Sequence, residues 1–253
     1  DYRITTGMMC VELARLVDPS ITGELRHVPA VAGLSDRSRA EAMGAYEELA
    51  SDAGYDREDL LDVGEALDYA AHWLRYAEGK TLVNDALNVG CDDDARHEEL
   101  VTFLAERSER DVERQLEAID EHVEHERLAS GAHLYRIDVD EYAHRFTYPA
   151  PGKTTGELHD AKVEATGDPV ITIGYGPDFA VLRSDGVRLD IPTMVTELDE
   201  ELPEAGVSGG GHLVVGSIKF VKGRREAVID ALIGKMANAE IDEALSAAAV
   251  PEK

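Results

Sequence analysis

Three places in the chain bring together residue types that can do chemistry. The first is Val207-Ser208-Gly209-Gly210-Gly211-His212-Leu213. Three successive glycines let a backbone approach a ligand closely and turn several N–H groups toward an anion, and the histidine after them can donate a hydrogen bond to a phosphate. The same text also suits a flexible loop with an incidental histidine. The second is Val181-Leu182-Arg183-Ser184 at the end of an apolar run. The guanidinium of Arg183 matches a phosphate bidentately and the Ser184 hydroxyl adds a donor; a surface arginine at a hairpin turn is the plainer alternative. The third is Gly33-Leu34-Ser35-Asp36-Arg37-Ser38, where a carboxylate leaves a small apolar segment. Asp36 is placed there as a ligand for a hard cation, or Ser35, Asp36 or Ser38 caps the helix that follows.

Other polar clusters carry less. Glu121-His122-Val123-Glu124-His125-Glu126 reads as a solvated helix face, with His122 and His125 three apart. Cys91-Asp92-Asp93-Asp94 reads as a loop leading to a helix cap. Cys10 and Cys91 are 81 residues apart and near no metal-like spacing, so reduced, cytosolic thiols are expected. There is no Walker lysine loop, dinucleotide fingerprint or nucleophile elbow.

The elements that must position these residues follow from periodicity and breakers. Helices are expected over residues 7–17, 39–53, 57–78 (N-cap Asp56) and 81–89, with one long helix from Asp94 to about Ser130 closed by Gly131. Val28–Leu34 is expected as a buried apolar strand. Beyond Gly131 short apolar or alternating runs predict strands at 133–139, 169–175, 179–183, 187–191 and 213–221, with helices near 156–166, 192–202 and 224–248. The predicted class is α/β, divided as 1–93, a connecting helix 94–131, and a mixed-sheet domain 132–253. The abrupt start at Asp1-Tyr2-Arg3 reads as a cut through a longer chain.

Charge dominates the composition. The 253 residues carry 25 Lys+Arg against 52 Asp+Glu, a formal net charge of −27, and Arg outnumbers Lys 18 to 7. Dispersed carboxylates of this density point to the surface of a salt-loving cytoplasm, since self-repulsion weakens a compact acidic chain unless salt screens it. Net charge therefore does not exclude a nucleic-acid partner. At 43% hydrophobic residues the chain can build a core, and its apolar runs fall far short of the roughly 20 residues of a membrane span. Neither a membrane span nor a secretory leader is read.

Taken together, these residues resemble the DHH phosphoesterase superfamily, and within it the archaeal (haloarchaeal) RecJ-like single-strand nucleases. Gly33-Leu34-Ser35-Asp36-Arg37 is similar to the motif that closes the catalytic DHH domain. Gly209-Gly210-Gly211-His212 and Arg183-Ser184 resemble the signatures of the DHH-associated domain. The resemblance implies the helical end of a catalytic domain, a connecting helix and a mixed-sheet substrate domain. It implies a cytoplasmic two-metal phosphodiesterase using manganese or magnesium. Asp36 would be a metal ligand, and Arg183, Ser184, Gly209, Gly210, Gly211 and His212 would hold single-stranded DNA or RNA. Replisome proteins are the further partners it implies. The family's Asp-x-Asp strand, further Asp and Asp-His-His triplet do not occur here, so the chain alone is expected to be inert. The alternatives are a non-catalytic replication scaffold and a phosphatase for oligonucleotides or nucleotide bisphosphates.

Overall fold

The computed structural model describes residues 4–38, 40–74, 79–90 and 94–246. The chain is α/β and forms two units, Asp1–Asp111 and Val112–Lys253, the division falling inside one long helix.

The first unit is helical: α1 (Thr6–Val17), α2 (Val28–Ser35), α3 (Met43–Ser51), α4 (Arg57–Trp73), α5 (Gly79–Ala86) and the start of α6 (Asp94–Asp120). Asp56 starts α4 by accepting the Asp59 N–H, and the Asp59 carboxylate accepts the Asp56 N–H in return, which satisfies two helix-end donors at once. Val28–Leu34 is a helix where the valines suggested a strand. Pro29 sits in the first turn, where its missing N–H is no loss, and Ala30, Ala32 and Gly33 are small enough for close helix packing. A methyl group at Gly7, Gly33 or Gly64 would run into Ala32, Met43 or Ser35 respectively. The core joins Ala30, Val31 and Leu34 to Leu60, Val63 and Ala66 and to Val101 and Leu104 of α6. Beside it lies a buried polar knot. His27 donates from Nε2 to the Leu87 carbonyl (2.6 Å) and stacks on Tyr55, with ring centroids 4.4 Å apart.

The second unit is a six-stranded sheet in the order β1-β2-β3-β4-β7-β6. Its strands are β1 (Glu124–Arg127), β2 (His133–Asp138), β3 (Val170–Tyr175), β4 (Phe179–Asp185), β6 (Ser208–Gly211) and β7 (Val215–Lys219). A short β5 (Val187–Arg188) pairs with β8 (Glu240–Ile241). Within the six-stranded sheet β2 and β3 pair parallel, joined by the crossover helix α7 (Pro151–Thr166), and the remaining pairs are antiparallel. Strand alternation sends Leu134, Ile171, Ile173, Leu182 and Ile218 to one face, where they pack on α8 (Ile191–Glu201) and α9 (Arg225–Met236). The opposite face sends Ile137 and Phe179 toward Leu158 of α7 and Ile119 of α6.

Three further expected elements differ. The long helix stops at Asp120 rather than Ser130, because Glu124–Arg127 pairs residue for residue with β2. His122 and His125 thus share no helix face: His122 stacks on Tyr142, and His125 lies on β1, its ring parallel to that of His133. The last helix ends at Met236, and the chain turns back as β8. The glycine triplet is an edge strand rather than a loop. Among the described residues no helix is long and apolar enough to cross a membrane.

Candidate functional site

The sheet face covered by α7 carries a polar row that crosses it from strand to strand. Directly opposed residues on neighbouring strands share a face, and the register aligns Tyr135, Thr172, Arg183 and Val215. His212 extends the row, its N–H donating to the Val215 carbonyl at 2.7 Å. Arg183 and His212, 29 positions apart in sequence, are therefore set on one line, with Val215 between them.

Helix α7 lies over this row with the period that an α-helix repeats on one face. Gly156 faces the Arg183 guanidinium: a Cβ there would sit 3.5 Å from Nη2. His159, one turn on, meets Thr172, Nδ1 to Oγ1 2.9 Å, with both residues buried. Lys162, a further turn on, holds its ammonium 5.7 Å from the Tyr135 ring centroid. Glycine at 156 leaves room for the arginine head, and the buried His159–Thr172 pair fixes the helix against the strand that neighbours Arg183. Lys153, one turn before Gly156, brings a cation toward the helix N-terminus, where the backbone dipole also favours negative charge. It pairs with Glu157 at 3.6 Å and lies 5.8 Å from the Tyr148 ring centroid.

Beyond Val215 the same face is formed by β7 and β6. Ser217 and Gly210, opposite each other, are exposed, and no atom lies within 4 Å of where a Gly210 Cβ would stand. Because His212 donates across to Val215, the alternation of an antiparallel ladder turns the N–H groups of Gly209 and Gly211 toward the outer edge. A side chain at either position would clash with the Ser217 or Val215 carbonyl, so glycine is what allows β6 to close on β7. Chemically, this is an arginine, an exposed imidazole, outward backbone donors and a helix N-terminus around an open floor, a donor set suited to phosphate oxygens.

The remaining expected site residues fall elsewhere. Ser184 is buried and its hydroxyl donates to the Val187 carbonyl at 2.8 Å, so the structure does not join it to the Arg183 row. Asp36 is in the first unit, exposed, and closes α2 as its C-cap, its own N–H bonding the Ala32 carbonyl. It does not cap α3, whose N-cap is Ala42. Cys91-Asp92-Asp93 lies outside the described residues. Among the described residues no group of three His, Cys, Asp or Glu side chains comes together as a metal centre. Lys153, Gly156, His159 and Thr172 carry no signature in the sequence that marks them for this face. Pro151 at the helix start is the available signal, since it extends the helix five residues upstream of its expected beginning and brings Lys153 and Gly156 onto it.

No protein-family model matches the chain. An uncharacterized protein of Methanocaldococcus jannaschii is 39% identical over 252 residues, which span 92% of this chain and 33% of that protein. A solved DHH-domain structure, from a protein described as belonging to a family of ribosomal proteins, superposes with a TM-score of 0.89 at 37% identity, over 94% of this chain and 56% of the other. RecJ of Thermus thermophilus in complex with Mn2+ superposes at 0.53 and 14% identity, over 87% of this chain and 34% of RecJ. This chain thus spans a third of the curated relative and just over half of the DHH-domain structure. Its fold is that of a DHH domain and is shared, at low identity, with RecJ.

Proposed function

We propose that this chain supplies the nucleic-acid-holding part of a DHH-type phosphodiesterase that acts on single strands, the Arg183 face gripping the phosphate backbone. One observation carries the reading: the strand register places Arg183 and His212 in one row beside a strand that exposes backbone donors in place of side chains. Arg183 would take phosphate oxygens in its fork, His212 would donate to a neighbouring phosphate, and Gly209 and Gly211 would contribute N–H groups. These contacts are to the part every nucleotide shares, which suits a nuclease indifferent to sequence. A divalent metal, manganese or magnesium, would supply water activation in the complete enzyme, with Asp36 as one candidate ligand. Among the described residues no group of three His, Cys, Asp or Glu side chains gathers around it.

Fluorescence anisotropy with a labelled oligothymidylate tests the reading. The 253-residue chain should bind it, and Arg183→Ala should weaken binding about 10- to 100-fold, as expected for a charge-assisted hydrogen bond worth about 1.5–3 kcal/mol. The slope of log affinity against log salt should fall by about one in that variant, and His212→Ala should show a smaller loss. Wild-type affinity in both variants sinks the reading. With manganese added, the chain should leave the strand intact; degradation that His212→Ala abolishes would show that it assembles a working centre.

A further inference from the structure

We propose that Phe146 is a stacking platform for a nucleobase of the same strand whose phosphates the Arg183 face holds. This rests on the phosphate reading of that face and adds to it a contact of a different chemistry.

Phe146 is 96% exposed and has a backbone φ of 59°, a left-handed conformation that a bulky side chain rarely adopts. The ring buries almost nothing, so the fold gains little from an aromatic residue there. Tyr142 in the same loop, 37% exposed, stacks on His122 with centroids 3.9 Å apart. The loop around Phe146 is well tied. Asp138 Oδ1 accepts the N–H groups of Asp140 and Glu141, and Arg145 binds Asp140 through both its carbonyl and its carboxylate. The Gln115 side chain clasps His144 through its N–H and carbonyl, and the Thr147 hydroxyl donates to the same His144 carbonyl. Tyr148, two residues on, is buried. The ring is thus presented from a fixed apex by anchors on both sides.

From that apex the chain runs on through Tyr148 into α7, the helix that covers the Arg183 row. Tyr148 packs beneath the Lys153 ammonium, and Lys153 stands one helical turn before Gly156, which faces the Arg183 guanidinium. A ligand that lays phosphate on Arg183 and Lys153 and also offers a flat apolar ring is a nucleotide chain with its bases unpaired. Stacking on one aromatic face is tolerant of base identity, which matches backbone contacts that read no sequence.

Affinities of the unaltered chain, Phe146→Ala, Phe146→Trp and Arg183→Ala are compared for an oligothymidylate and for an abasic strand of equal length. Phe146→Ala should weaken the oligothymidylate about 5- to 100-fold, leave the abasic strand unchanged, and keep the thermal midpoint. Phe146→Trp should retain affinity and show emission quenched by oligothymidylate, above the background of Trp73. Arg183→Ala should weaken both strands. If Phe146→Ala binds oligothymidylate like the unaltered chain, or loses both strands equally, the stacking role is overturned while the phosphate reading stands on the Arg183 result. If the unaltered chain binds neither strand, both fall.

Discussion

At the scale of single residues, burial decides what a titratable group does. His27 is buried against Tyr55 and gives its Nε2 proton to a carbonyl, and this burial, with His97 nearby, holds its pKa below the ordinary histidine value. The bond to the Leu87 carbonyl opposes the shift without cancelling it. The unfolded chain therefore takes up the proton first as pH falls below about 6.5. Full stability is present above that value and is lost progressively toward the lower folded-state pKa. Urea unfolding midpoints should fall between about pH 7 and about pH 5 by more in the native chain than in His27→Gln; equal falls would show that His27 is not the sensor. Residues such as this explain what a linear reading misses. Arg183 and His212 stand out in the sequence by their type, and the strand register then sets them in one row. His159 does not stand out, since nothing in its neighbours in sequence announces Thr172 as a partner across a helix–strand contact. Ser184 looks like a ligand beside Arg183, but strand alternation turns adjacent residues to opposite faces.

At the scale of elements, the glycine strand is the sharpest case. Three glycines read as a loop because glycine weakens strands, yet the approach of β6 to β7 excludes any side chain at Gly209 and Gly211. Gly211→Ala should cost about 1–3 kcal/mol of stability, the usual penalty for overpacking, and should loosen the hairpin. Gly210→Ala, pointing into open space, should be far milder. Denaturant unfolding of the two variants checks this, and equal costs would contradict the strand pairing. The β-strands of the second unit are otherwise largely readable, because their apolar faces pack on α8 and α9 with a period of two. The end of α6 is not readable: charged residues satisfy a solvated helix and an edge strand equally well, and only pairing with β2 separates the two. Val28–Leu34 fails for a related reason, since its valines favour a strand while tight packing among α1, α2 and α4 selects a helix. On the sheet face that packs on α8 and α9, Arg225 of α9 reaches the buried Asp138 at 2.6 Å and lies over Tyr175, 5.8 Å from the ring centroid, which ties that helix to the strand ends.

At the scale of the whole molecule, a net charge of −27 makes folding a question of solvent as well as sequence. Raising KCl from about 0.15 M to about 1 M shortens the screening length from about 8 Å to about 3 Å. The thermal midpoint should therefore rise with salt as carboxylate repulsion fades; a flat or falling midpoint by calorimetry would count against a surface built for brine. The same acidity gives the main-chain donors of Gly209 and Gly211 a wider meaning. An acidic surface is built by exchanging side chains, and positions that admit no side chain stand outside that exchange. However far the rest of the exterior drifts toward negative charge, this narrow strip keeps its amide hydrogens, donors that no exchange of side chains can remove.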